Sequence, residues 1–446
     1  IMPSLVGSEM CIRDRQWNRR ILTPLGRVTV IKTLILPKYN HLFMSLPNPN
    51  EESLTSLNQE LFRFLWKAKC DKIKRVVVTQ KCLHGGLNMV NINNFIISLK
   101  SSWIQKLLKR EQSWIHIFYA IYGDTVVKKL LDFGDDFIKK LLDVTTNPFW
   151  VDVLKSWLYV VTSYINNNLQ STYKVTSFPV WYSSKISVGK KSLFIKTWYE
   201  KGVKVVNDFL DDNGFFLSRE LFKNKFNITN VCTMQYNSII SAIAKFLKNS
   251  CFSREEYCCV YGPGIPLYYE PLLFYKKCTK IIYKNINTNN ITPTSIVKWN
   301  AFLLLRGDEE ITSQDVFKLC FKLTTDSTIQ WFQYRILYRI LPVKNYLKKI
   351  KITDNDSCTF CGNDTETIEH IFATCTFTLA LWNQFSIHIY NATSERFRFN
   401  VSNIIFGECP LQEANKVINF LILYGKQYIY SCSIQNKLPS LTGLLC

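Results

Sequence analysis

The chain has 446 residues, enough for two or three compact units, and its 47% hydrophobic and 14% aromatic content supplies packed cores rather than wholesale disorder. With 55 Lys and Arg against 34 Asp and Glu, the formal charge of +21 makes polyanions the default partner class, because each basic group near a phosphate releases condensed counterions. No window offers the ~18 uninterrupted apolar residues of a membrane span, and Met10, Cys11 and Ile12 make a poor core for a secretion signal.

Residues 1–15 (IMPSLVGSEMCIRDR) do not blend into the basic, amphipathic chain from Gln16 onward. They resemble the translation of a sequencing adaptor, so the native frame is expected to begin near Gln16. Residues 16–110 carry sixteen Lys or Arg against four Asp or Glu, more than half of the whole charge surplus. Within them, Leu25-Gly26-Arg27 reads as a turn entering a helix over Val28–Leu36, which Pro37 closes. Asn50 is expected to cap a second helix, with Glu51 and Glu52 at its positive end and Leu54, Leu57, Leu61, Phe64 and Leu65 at helical spacing. Gly85-Gly86 predicts a turn before an amphipathic stretch from Ile96 to Leu108. The candidate phosphate contacts here are Arg27, Lys32, Lys67, Lys69, Lys72, Lys74 and Arg75. Phe64, Trp66 and Trp103 interleave with basic residues as a base-stacking surface would, although core packing accounts for these aromatics better.

Residues 111–300 read as helical scaffold, with turns at Gly123, Gly134, Pro148, Gly214 and Pro263-Gly264 and no repeat of fixed period. The run Phe194–Leu210 has the period of a single helix. Residues 301–395 open the chemically sharper part. A helix is expected from Ile329 to Leu341, with Trp331, Tyr334, Leu337, Tyr338 and Leu341 on one face, Arg335 and Arg339 stacked four apart, and Pro342 as its stop. Lys344, Lys348, Lys349 and Lys351 come next, with no acid before Asp354. Residues 396–446 complete the chain as a helical tail. Cys232, Cys278, Cys320 and Cys432 stand singly in apolar runs and read as reduced, half-buried residues of a cytosolic or nuclear protein.

One group of cysteines differs. Cys358, Cys361, His370 and Cys375 have the spacing C-x2-C-x8-H-x4-C. Two thiolates two residues apart can grip one metal from a tight turn, and a His and a Cys four apart can complete the shell from a short helix. Three sulfurs and one imidazole specify a closed, structural Zn²⁺ site with one ion, whose binding supplies folding energy to the segment. Gly362 permits the turn, and Phe360, Ile371, Phe372 and Trp382 can pack around it. His388 reads as an ordinary histidine. The fold class expected is mainly α, a multi-unit helical chain with a small zinc-stapled CCHC knuckle near its C-terminus.

Several strings resemble, in order, the C-terminal region of LINE-type (non-LTR) retrotransposon reverse transcriptases. Residues 17–32 (WNRRILTPLGRVTVIK), 36–49 (LPKYNHLFMSLPNP), 61–78 (LFRFLWKAKCDKIKRVVV) and 84–90 (HGGLNMV) are similar to the post-palm thumb. Residues 181–210 (WYSSKISVGKKSLFIKTWYEKGVKVVNDFL) and 213–218 (NGFFLS) resemble the linker. Residues 331–342 (WFQYRILYRILP) and 415–441 (NKVINFLILYGKQYIYSCSIQNKLPSL) are similar to the carboxyl end. The resemblance implies that the polymerase carboxylates sit in a palm upstream, so this chain is a fragment that does not polymerise. It also implies that the basic helix and the knuckle hold element RNA or target DNA for target-primed reverse transcription, in a nuclear or cytoplasmic ribonucleoprotein. Phe133-Gly134-Asp135-Asp136 imitates the acidic pair that would hold two metal ions, but it comes after the thumb-like segment and reads as a solvated helix start. Two other readings stay open: a stand-alone zinc-knuckle RNA-binding protein, and a helical interaction protein whose zinc ligands hold the fold only.

Overall fold

A computed structural model describes residues 20–109, 115–123, 125–168, 171–189, 191–260, 268–273, 276–287, 291–409 and 411–445. The adaptor-like leader and the Pro263-Gly264 turn lie outside the described residues. The protein is mainly helical, and its one regular sheet among the described residues is a hairpin pairing Ser187 with Ser192 and Val188 with Lys191. No described helix is long and apolar enough to cross a membrane. Contacts group the chain into two compact units. One contains the described residues through Leu36, Thr55–Val90, and those from 291 onward; the other contains Pro37–Leu54 and the described residues of 91–288.

The second unit is built on Ile92–Lys109, which packs against Pro148–Asn168 and Cys278–Ile286. Trp157, Trp181 and Trp198 are fully buried in its core with Phe133 and Phe178. The run Phe194–Leu210 is not one helix. A short helix, Lys196–Glu200, stops at Gly202 (φ +97°), and a 3-10 turn forms at Val206–Phe209. The apolar positions are the buried ones, with Trp198, Val203, Val206 and Phe209 each 1% exposed or less, while Lys196, Thr197, Glu200 and Lys201 are exposed. A short irregular segment can bury its apolar side chains at helix-like intervals, so the period alone does not distinguish helix from turn.

The first unit contains the basic residues Arg27, Lys32 and those of Lys67–Arg75 together with the cysteine cluster. Its first helix, Pro24–Val30, includes the Leu-Gly-Arg expected to form a turn. Thr23 caps it by accepting the Gly26 N–H at 3.3 Å, and Pro24 starts it with φ already suited to the helix. The helix Glu51–Leu65 is capped as expected, with the Asn50 side chain accepting the Ser53 N–H at 3.0 Å. Phe64 and Trp66 are buried, so they are core residues rather than a stacking surface.

Gly85 sits at φ +86°, which a side chain rarely tolerates, and its carbonyl accepts from Tyr334 at 2.7 Å and Tyr338 at 2.5 Å. Both tyrosines come from the region of Ser327–Leu337, so this helix docks directly on the early glycine turn. The helix ends at Leu337, short of the expected limit at Leu341. Arg339 adopts φ +55°, and the N–H groups of Arg339 and Ile340 bond back to the Ile336 and Arg335 carbonyls, as in a left-handed C-terminal cap. Pro342 disfavours helix at the residue before it, which leaves the helix to end upstream. Arg335 and Arg339 therefore do not stack on one helix.

Candidate metal centre

The cluster forms where two short devices meet. A turn from Cys358 is closed by Gly362 N–H to Cys358 C=O at 3.0 Å, with Gly362 at φ +72°. An antiparallel bridge between Ser357 and Thr365 holds the base of this turn. His370 opens a five-residue π-helical turn, His370–Thr374, and Cys375 stands between that turn and the helix Thr376–Thr393. The ligand atoms of Cys358, Cys361, His370 and Cys375 all lie within 4.8 Å of one another. Cys358 and Cys375 sulfurs are 3.9 Å apart, and Cys361 Sγ is 3.4 Å from His370 Nε2. Tetrahedral zinc with Zn–S of about 2.3 Å and Zn–N of about 2.0–2.1 Å needs S–S and S–N edges of about 3.8 and 3.6 Å. The donor set and the spacing both fit one ion.

Cys358, Cys375 and His370 are buried, and Cys361 is half-buried. Burial pushes the Cys358 thiol up to about 12 and raises Cys375 as well. Burial also acts upward on Cys361, but the Asp364 and Asn363 N–H groups and His370 draw it down to about 6. A dication among these thiols offsets the cost of ionising them, since coordination and deprotonation are linked. His370 Nδ1 lies 3.4 Å from Thr374 Oγ1 and 3.8 Å from an Asp364 carboxylate oxygen. The tautomer with its proton on Nδ1 leaves Nε2 to face the sulfurs. Phe360, Ile371, Phe372 and Trp382 are buried around the cluster, Trp382 donating to the Phe372 carbonyl at 2.8 Å; His388 is exposed.

Residues 298–382 match the family model described as zinc-binding in reverse transcriptase. This part of the chain is a reverse-transcriptase-related zinc-binding region. All four cluster residues lie inside the match, and its cofactor is one zinc ion. No curated protein matches the chain.

Glu366, which spacing did not single out, organises this zinc-binding region. It is 3% exposed, and its carboxylate accepts from the Thr359 N–H at 2.9 Å, the Thr359 hydroxyl at 2.6 Å and the Lys344 N–H at 3.0 Å. One carboxylate thus ties the residue between the two cysteines to the start of the helix Lys344–Lys349. A buried acid four residues before the histidine was the available signal, but in sequence it looks like any surface glutamate.

The basic candidates divide by environment. Arg27 is buried, not on the surface. Its guanidinium donates to the Phe64 carbonyl at 2.7 Å and lies over the Phe64 ring, so it braces the first helix against Glu51–Leu65. Lys32 is half-buried and its pKa is lowered by burial. Lys67, Lys69, Lys72, Lys74 and Arg75 are exposed, with Arg75 bonded to Asp71 at 2.7 Å. Arg335 is half-buried. Lys344 donates to the Ser357 carbonyl at 3.1 Å and Lys348 pairs with Asp356 at 2.9 Å, so both brace the knuckle.

A pocket of about 450 Å³ gathers the rest. Lys72 and Lys74 from the N-terminal segment, Lys298, and Arg339 and Lys349 from the zinc-binding region line it, opposed by Glu369 alone among acids. Arg339 bonds Glu369 at 2.5 Å and covers the Trp299 ring, its guanidinium carbon 3.7 Å from the centroid. Lys298 was missed because it sits alone in a predominantly apolar helix, Thr294–Leu304.

In the second unit, Asp135 and Asp136 begin the helix Asp135–Val144, as expected. Asp135 is not solvated, however: it is buried, accepts the Ser184 N–H at 2.9 Å, and shares Lys139 with Asp136 at 2.9 and 2.7 Å. The pair serves the helix start.

Proposed function

We propose that this chain binds nucleic acid backbone as the C-terminal part of a LINE-type reverse transcriptase. In this reading residues 16–110 act as the thumb-like grip, 111–300 as linker, 301–395 as basic helix plus zinc knuckle, and 396–446 as the helical tail. The observation that carries it is the convergence, in the unit that holds the zinc cluster, of Lys72 and Lys74 with Arg339 and Lys349, which lie more than 250 residues apart in sequence. Arg339 is paired with Glu369, but no described carboxylate pairs with Lys72, Lys74 or Lys349; clustered cations repel one another, and a polyanion relieves that repulsion while releasing counterions. The role expected of such contacts is to position element RNA or target DNA during target-primed reverse transcription, within a ribonucleoprotein. Polymerisation is assigned to a palm outside these residues, in keeping with the tethered state of Asp135 and Asp136.

Zinc contributes by folding the segment that presents Arg339 and Lys349. The test is equilibrium binding of the zinc-loaded chain to labelled single-stranded RNA and to DNA duplex across a salt series. Affinity should fall steeply, with log K linear in log salt concentration. Failure to bind either probe at low salt would favour a helical interaction protein whose zinc holds the fold only.

A further inference from the structure

We infer that the pocket beside the zinc knuckle is a receptor for one unpaired nucleotide of a bound strand, resting on the reading above that this chain binds nucleic acid. The size is right for a nucleotide and wrong for a duplex. About 450 Å³ falls within the range of small-ligand pockets, roughly 300–1,000 Å³, whereas double-stranded nucleic acid presents a broad convex surface.

The lining supplies both halves of such a ligand. Lys72, Lys74, Lys298 and Lys349 are exposed at the pocket, and no described carboxylate forms an ion pair with any of them. Beside these cations, the tyrosines Tyr338 and Tyr346 line the pocket together with the apolar residues Ile73, Val77 and Pro293. Cationic groups beside aromatic faces are what an unstacked base with its phosphate requires. A flat basic face for duplex backbone would not need the apolar recess.

Arg339 is held ready at the pocket wall. Its backbone takes the left-handed position that caps Ser327–Leu337 (φ +55°), and Trp299 and Glu369 fix its guanidinium. Its Nε has no hydrogen-bond partner among the described residues. The zinc cluster builds another part of that wall, because Thr367, Ile368 and Glu369 immediately precede His370. Nucleotide capture is therefore zinc-dependent, whereas Lys67 and Lys69, outside the pocket, can still attract a duplex.

The test compares a blunt duplex with the same duplex bearing a short single-stranded overhang, using the full zinc-loaded chain and fluorescence anisotropy at fixed salt. The overhang should bind about tenfold tighter, the scale of one stacked base. Lys298→Gln/Lys349→Gln should weaken both probes, since Lys349 belongs to the backbone grip, but the overhang by about tenfold more, which removes its preference, and Tyr346→Ala should reduce the preference without changing the salt slope. Equal wild-type affinity for the two probes, or an equal loss for both in the double variant, would overturn the pocket and leave general backbone binding intact. If the wild-type chain bound neither probe, the functional reading and the pocket would fall together. Retained zinc content in each variant shows that the knuckle remains folded.

Discussion

Cys361 is the one cluster residue that is not buried, and its thiol is held low by the turn's own N–H groups and by His370. Replacing it with serine removes a thiolate ligand while keeping the turn's size. Cys361→Ser should abolish stoichiometric zinc and release residues 358–375 to rapid amide exchange, read by elemental analysis and hydrogen exchange. Unchanged zinc content would refute the ligand assignment. Glu366 acts through the ligands rather than on the metal. Glu366→Ala leaves the Thr359 and Lys344 N–H groups without their acceptor, and zinc affinity should fall about 10- to 100-fold in a chelator competition. An unchanged affinity would show that the turn holds itself. At this scale the cysteines and histidine were legible because metal chemistry demands particular residue types at particular intervals. Glu366 was not, because nothing in a single glutamate announces that three donors will surround it.

At the scale of elements, the polar caps were readable and the ends set by contact were not. Asn50 signals its helix locally, through one side chain and an N–H three residues on. The limit of Ser327–Leu337 depends on a left-handed turn at Arg339, and that arginine's side chain is fixed by Trp299 and Glu369 from other segments. Arg27 illustrates the same limit: an arginine after a glycine reads as surface charge until Phe64 is folded over it. Arg27→Met should lower unfolding free energy by about 1–3 kcal/mol in urea and leave the salt slope of nucleic-acid binding unchanged. A shallower slope would return Arg27 to the phosphate contacts. Gly85→Ala should cost more, about 2–4 kcal/mol, because its Cβ would sit 2.7 Å from Pro293 and 2.8 Å from Phe317 in a left-handed conformation. A loss below about 0.5 kcal/mol would mean that this turn relaxes freely.

For the molecule as a whole, stability should carry a distinct pH signature from Lys426. This lysine is buried, donating to Gln333 Oε1 at 2.7 Å and the Ile405 carbonyl at 3.0 Å, and burial lowers its pKa from 10.5 to about 7. Between those values the unfolded chain holds a proton that the folded chain has released. Stability attributable to Lys426 therefore rises with pH from about 7 to 10.5, and the full cost of burying its charge is present below 7. Lys426→Met should flatten that part of the urea-unfolding profile relative to the parent protein; superimposable profiles would place the ammonium in contact with solvent.

Sequence by itself determined the helical class, the basic character of the chain, and the four residues that gather into the cluster placed to hold zinc, because periodicity, charge and ligand chemistry are carried by residue types and short intervals. Tertiary structure decided which basic residues do what. Arg27 became core, Lys344 and Lys348 became braces for the knuckle, and Lys72, Lys74, Lys298, Arg339 and Lys349 came to share one pocket. The physical reason is that a lysine's charge is the same everywhere in a sequence, while its role depends on the carboxylates, rings and carbonyls that distant segments bring to it.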